Sequence, residues 1–225
     1  MYFVRTPNIA KKLFPQIIWD LPNTENKVYL TFDDGPHPEI TPWILEQLKQ
    51  YNAKATFFCL GKHAEKYPEI IKMILQDGHR IGNHGYAHVS GWKTNNEDYL
   101  EDVMKGQKIL EQVQNDVLRR QAQNDIQQIQ DDKMLFRPAY GKIKSSQIEI
   151  VHRSSFIVNW TLMPGDFDEN ISSEECYSNL IKNVKSGDVI VLHDNEKSWK
   201  HVEFCLPKWL EFLQSANYIM DSISL

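Results

Sequence analysis

The chain has 225 residues, of which 41% are apolar and 11% aromatic, enough to bury one sizeable core, so residues 1–225 are read as one domain. A net charge of −5 without any basic run excludes the electrostatic footprint of a nucleic-acid or anionic-lipid binder and favours neutral or cationic partners. The cysteines Cys59, Cys176 and Cys205 are far apart, odd in number and without C-x-x-C spacing, which excludes a disulfide framework and a thiolate zinc site and leaves them as small core residues.

The opening stretch, MYFVRTPNIAKKLFPQIIWDL, is interrupted by Pro7 and Pro15 and lacks the apolar run of a secretory signal. No other run reaches the roughly 20 apolar residues of a membrane span. A soluble, cytoplasmic protein is the expectation. From there, short β-branched and aromatic runs alternate with amphipathic stretches of helical length. The runs are KVYLTF (27–32), ATFFCL (55–60), HRIGN (79–83), MLFRP (134–138), FIVNWTL (156–162), DVIVLH (188–193) and YIMDSIS (218–224). Alternation of this kind predicts an α/β fold, a closed or nearly closed parallel (β/α) barrel of about seven strands.

Between the strands, Thr41-Pro42 opens a helix in which Trp43, Leu45 and Leu48 recur at near-helical spacing, and Tyr67-Pro68 opens another with Ile70, Ile71, Ile74 and Leu75 inward and Gly78 as its stop. Ser172, Ser173 and Glu175 form a capping sequence ahead of Tyr177, Leu180, Ile181 and Val184, and Gly187 ends that helix. From Gln112 to Gln130 there are seven glutamines, with Val113, Val117, Ile126 and Ile129 as apolar punctuation. This predicts a mostly exposed helical insertion at about 111–133, before the fourth strand, either a solvated surface helix or loop or a partner-binding element.

In a parallel β/α barrel, chemistry is assembled on the rim formed by the carboxyl ends of the strands. Asp33 and Asp34 follow the first predicted strand, His84 and His88 the third, Arg137 the fourth, Asp166 the fifth and His193 the sixth. Polar residues scattered by chance would fall at both ends.

Adjacent side chains of an extended segment point opposite ways, so Asp33 and Asp34 can share a site only at the sharp stop of Gly35-Pro36. One carboxylate then binds a cation while the other serves as general base toward an activated water; a self-capped Asp-Asp-Gly-Pro turn is the alternative. His84 and His88, four apart after a glycine-marked strand end, supply two imidazoles to one ion. With Asp34 they make a two-His, one-carboxylate site for a single divalent metal, zinc by its ligand types, with cobalt or nickel as alternatives. Beside Asp33, Arg137 would hold that carboxylate ionised; otherwise it pairs with a surface acid. Tyr140 can offer its backbone N–H to a developing oxyanion. His193 is suited to protonate a departing amine, with Asp166 holding it protonated. Phe167, Trp92 and Leu192 are candidates to line a sugar pocket. Asp168 and Asp194 read as capping or turn residues. His37, His63, His79, His152 and His201 read as surface or structural.

Taken in order, TFDDGPHP, GNHGYAH, FRPAYG, PGDF and IVLHD resemble the five motifs of the polysaccharide deacetylase family, also called carbohydrate esterase family four, from about Lys27 to the C-terminus. The resemblance implies a distorted (β/α) barrel of seven strands and hydrolytic removal of acetyl groups from a carbohydrate substrate such as chitin oligomers or peptidoglycan. It also implies Asp33 as base, Asp34, His84 and His88 as metal ligands, Arg137 bracing Asp33, and Asp166 tuning His193 as acid. Four positions depart from the family pattern. Gly85 replaces a Ser or Thr whose hydroxyl braces the metal loop, Ala139 replaces a proline, Phe167 a tryptophan, and Val191 a leucine that lines the acetyl pocket. The glutamine-rich segment has no counterpart in that pattern. Alternatives are an amidase acting on small imides or ureides and a carbohydrate-binding protein without turnover. An iron oxygenase fits the ligand set but not the strand-helix alternation.

Overall fold

The computed structural model describes residues 2–121 and 133–225. Seven strands form one sheet: β1 (Lys27–Asp33), β2 (Thr56–Cys59), β3 (Arg80–Asn83), β4 (Met134–Phe136), β5 (Ser155–Ile157), β6 (Val189–His193) and β7 (Ile219–Asp221). Every pairing between these strands is parallel, in the order β5-β4-β3-β2-β1-β6. β7 stands outside that sequence. It pairs with Lys27–Tyr29 at the start of β1, and its Met220 carbonyl accepts the Lys54 N–H, so it wedges between the lower ends of β1 and β2.

The sheet curls into a distorted barrel. Its seam lies between β5 and β6, where a single parallel bridge, Leu162 to Ile190, replaces a full ladder. The N-terminal segment covers this seam: Arg5 bridges Leu162 in antiparallel fashion, Met163 N–H donates to Val4, and the Arg5 guanidinium grips buried Asp188 at 2.7 and 2.8 Å. The predicted fifth strand, 156–162, is therefore shortened to Ser155–Ile157, because the chain leaves β4 after Val158 to meet β6.

Alternation along each strand divides the core. Tyr29, Phe58, Leu135, Val158, Val189 and Ile223 fill the barrel. Val28, Leu30, Phe32, Phe57, Ile190 and Leu192 point outward against the helices. Those helices include α2 (Ile40–Gln50), α3 (Gly61–Lys66), α4 (Pro68–Gln76), α5 (Asn96–Gln121), α6 (Ser145–Val151), α7 (Ser173–Asn183) and α8 (Trp199–Ser215); a short α1 (Asn8–Leu13) precedes the barrel. Pro68 sits in the first turn of α4, and Gly78 follows it at φ 75°, as a helix stop requires. On α7 the Ser172 hydroxyl accepts the Glu175 N–H at 3.1 Å, the expected cap.

The predicted α2 is present, with Leu45 and Leu48 buried and Trp43 packed against the core. The helix starts at Ile40, His37 Nδ1 accepts the N–H groups of Glu39 and Ile40, and Ile44 rather than Trp43 is fully buried. The first turns of the glutamine-rich stretch, 111–121, are helical and continue α5, with Val103, Leu110 and Val117 buried. The remainder of that expectation, 122–132, lies outside the described residues. No helix among those described is long and apolar enough to cross a membrane.

His79 carries a testable consequence of burial. Its Nδ1 accepts the Ala55 N–H at 3.2 Å, its ring meets Phe57 edge-on, and burial together with Lys54 pulls its pKa from 6.5 down to about 4. Below about pH 6.5 the unfolded chain takes a proton that the folded state refuses, so stability is complete above that pH and falls as acid is added, by ~2 kcal/mol at pH 5. Thermal melts from pH 7.5 to 5 will show this decline. His79→Asn, which keeps an acceptor without titrating, will make it shallower.

Candidate metal centre

The rim where β1, β3, β4 and β6 end is built on one bend. Asp33 closes β1 in register with His193 of β6, and its side chain is buried. Asp34 follows at φ 83°, a left-handed conformation that aspartate tolerates, which swings its carboxylate to the same side as that of Asp33. Asp194 locks the turn. One carboxylate oxygen accepts the Gly35 N–H at 2.8 Å, the other the Thr41 hydroxyl at 2.5 Å, and a Cβ on Gly35 would fall 1.9 Å from that carboxylate. The expected capping role of Asp194 is thus a buried one.

Asp34, His84 and His88 converge. Asp34 Oδ1 lies 3.2 Å from His88 Nε2 and 3.5 Å from His84 Nε2, and one ligand atom from each residue falls within 4.8 Å of the others. Ligand atoms around a tetrahedral ion at ~2.0–2.2 Å sit about 3.3–3.5 Å apart, which these separations match. Asp34 Oδ1 is buried without a hydrogen-bond partner, whereas Oδ2 accepts the Asn195 side-chain N–H at 2.7 Å. Buried His84 contacts the Arg137 carbonyl through Nδ1 at 2.7 Å; donation there leaves the Nε2 lone pair facing Asp34. A divalent cation fits: it satisfies the orphaned oxygen and takes both lone pairs.

The electrostatics agree. Burial works to raise the Asp34 carboxyl, but His84, His193 and His88 outweigh it and hold it well below the usual carboxylate range. Burial likewise disfavours charge on His84, yet Asp33 and Asp34 raise its pKa above the ordinary value. In His88, burial and the neighbouring His84 win, pulling it to about 4.

Arg137, fully buried, donates from Nη1 to Asp33 Oδ1 and to the Thr31 hydroxyl, both at 2.7 Å. Nε and Nη2 reach the carbonyls of Val158 and Asn159 at 3.2 Å, and the guanidinium lies 4.0 Å from the Phe58 ring centre. The surface-acid alternative for Arg137 is excluded. Asp33 Oδ2 is left 3.8 Å from His84 Nε2, facing the triad.

Across the rim, His193 Nδ1 is 3.1 Å from Asp166 Oδ1, and its own N–H donates to Asp166 Oδ2 at 2.7 Å. Burial opposes charge on His193, but the buried Asp166 carboxylate outweighs it and pushes the pKa up to about 10. The Phe167 ring meets His193 at 5.6 Å and Tyr2 at 5.0 Å. Tyr140 adopts φ 61° with its ring 4.4 Å from His88. Trp92 stands exposed on the outer rim, its indole N–H donating to Ile143.

Leu192 is not at this site. It is out of phase with His193 on β6 and packs in the outer core, so the pocket-lining expectation is corrected; Val191, in register with Thr31, shares the inward side. Thr31, Asn195 and Tyr2 were not singled out from sequence. Thr31 was findable, being two residues before Asp33 on one strand face; Asn195 and Tyr2 carried no local signal. His63, read as structural, contacts the Asp34 carbonyl through Nδ1 at 2.8 Å.

The family model for polysaccharide deacetylases matches residues 20–156. A peptidoglycan-N-acetylglucosamine deacetylase of Bacillus cereus is 31% identical over 96% of each chain. A chitooligosaccharide deacetylase of Azorhizobium caulinodans is 31% identical over 76% of this chain and 74% of its own. Among solved structures, the Bc1960 peptidoglycan N-acetylglucosamine deacetylase, crystallised with a naphthalenyl N-oxidanyl-benzamide, superposes with a TM-score of 0.79 at 32% identity, covering 92% of this chain and 89% of that one.

Removing Arg137 would strand the buried Asp33 charge. Arg137→Ala is expected to cost ~3–5 kcal/mol in urea unfolding. Arg137→Lys will recover only part, because one ammonium cannot serve Thr31, Asp33, Val158 and Asn159 together.

Proposed function

The chain belongs to the polysaccharide deacetylase family, and from that premise we propose that it is a metal-dependent hydrolase removing acetyl groups from the nitrogen of an N-acetylglucosamine polymer or oligomer. The observation that carries this reading is the orphaned Asp34 oxygen aimed at two imidazole nitrogens, with a second carboxylate, Asp33, held beside it. The relatives' names specify deacetylation of peptidoglycan N-acetylglucosamine and of chitooligosaccharide, which supports an N-acetylated sugar here.

Asp34, His84 and His88 would hold the ion, and their two-imidazole, one-carboxylate set favours zinc over cobalt or nickel. When bound, the ion polarises the amide carbonyl and makes water acidic enough to attack near neutral pH. Asp33 acts as general base: Arg137 occupies Oδ1, so Oδ2 is the oxygen that accepts the proton. The Tyr140 backbone N–H donates to the carbonyl oxygen as charge develops there. His193, kept protonated by Asp166 at Nδ1, delivers a proton from Nε2 to the departing nitrogen. Phe167 and Tyr2 wall the side of the pocket next to His193, and Trp92 offers the sugar an aromatic surface at the rim.

Acetate release from N-acetylglucosamine oligomers is the expected activity, abolished by a chelator and restored by zinc or cobalt. Asp33→Asn will lower kcat by ~10²–10⁴. Retention of full turnover by that variant removes the base assignment, and turnover of a small imide with none of any sugar amide moves the chain to the amidase reading. The acid gives a second test. His193 is competent while protonated, so kcat falls as pH rises through its elevated pKa; Asp166→Asn removes the charge that raises it and will shift the alkaline limb of the kcat profile to lower pH. An unmoved limb would exclude His193 as the proton donor.

A further inference from the structure

The segment joining His84 to His88 is gripped from two sides. The first N–H groups of α3 take its carbonyls, Gly61 donating to Gly85 at 2.8 Å and Lys62 to Tyr86 at 3.2 Å. From the opposite side α5 presents Asp102, whose Oδ2 accepts the Tyr86 N–H at 2.9 Å and whose Oδ1 accepts the Ala87 N–H at 2.8 Å. Asn83 adds a further tie, its oxygen accepting the Gly85 N–H at 2.9 Å while its amide donates to Val103 of α5, also at 2.9 Å.

α5 reaches this close because position 106 is glycine; a Cβ there would meet the Asn83 side chain at 2.6 Å and the Gly85 backbone at 2.7 Å. Gly85 itself has φ 81°, and a Cβ on it would lie 2.5 Å from Asp102 Oδ2. A side chain at 85 would be strained at this φ and would push the Asp102 carboxylate from its present position. With glycine at 85, the side-chain ties on this loop come from Asn83 and from the Asp102 carboxylate on α5.

We propose that Asp102 is a positioning residue for the metal centre, the anchor that fixes the Tyr86-Ala87 backbone and through it the directions of His84 and His88. The proposal rests on the metal-centre reading above and adds to it the residue that presets the loop before an ion arrives. Both bonds are charge-assisted, about twice as strong as neutral ones. The residue after them, His88, sits at φ 63°, a conformation that persists only when its surroundings impose it.

Cobalt(II) titration of wild type, Asp102→Ala and Asp102→Asn against a chromophoric chelator, with the visible spectrum of each cobalt-loaded protein and amide exchange of each metal-free protein, tests this. Asp102→Ala is expected to weaken cobalt binding by ~10–100-fold and alter its spectrum. Asp102→Asn, which keeps one acceptor, will bind with intermediate affinity and fold even if the alanine variant does not. In both, the Tyr86 and Ala87 amides will exchange faster without metal. A purely structural aspartate would lower the melting temperature yet leave the folded fraction with wild-type cobalt affinity and spectrum; that result overturns the proposal alone. Failure of the wild type to take up cobalt overturns the metal centre and the anchor together.

Discussion

One fully buried cation organises the barrel mouth. The Arg137 side chain satisfies Asp33, Thr31 and two carbonyls beyond β5, while its backbone carbonyl receives His84 and its N–H pairs with Asn83 of β3. Burial pulls the guanidinium's pKa below its ordinary value and Asp33 pushes it back up. Taking such a pair out of water costs several kcal/mol per ion unless every donor is used. Here one residue brings the ends of β1, β3 and β4 to fixed positions, setting His84 with its main chain and Asp33 with its side chain.

Four aspartates crowd this mouth, and each has a different partner. Asp33 has the arginine, Asp34 the imidazoles and Asn195, Asp166 has His193, and Asp194 has only a hydroxyl and a backbone N–H. Burial first, then the charge of Asp34, pushes Asp194 up to about 7. It can hold the Gly35 turn without placing a full second charge against Asp34. Chemically identical side chains are thereby set in four different electrostatic environments.

Much of this was legible because strand period and rim geometry are local properties. Asp33, Asp34, His84, Arg137 and His193 sit at or next to the carboxyl ends of their strands, and a parallel sheet puts such ends on one edge; His88 and Asp166 come from the loops that follow β3 and β5. Errors arose where a contact depends on distant chain. Leu192 was misplaced by one residue of strand phase, which reverses a side chain's direction. The shortening of β5 reflects an N-terminal strap that no pattern near 156–162 announces, and Tyr2 reaches Phe167 by that same route. Gly85 could be seen as a departure, but its compensation lies on α5, 17 residues on, where Asp102 looks like any solvated helical acid.

The pairing of β1 has a consequence for synthesis. This strand carries Asp33, yet it pairs with β6 and β7, whose residues lie about 160–190 positions later in the chain. As the chain leaves the ribosome, β2 and β3 can join β1 early, but one edge of that apolar strand stays unpaired until nearly the whole polypeptide has emerged. An open hydrophobic edge is a template for pairing with a neighbouring chain. Late closure leaves that edge exposed during synthesis for longer than the edges joined by the β2 and β3 pairings.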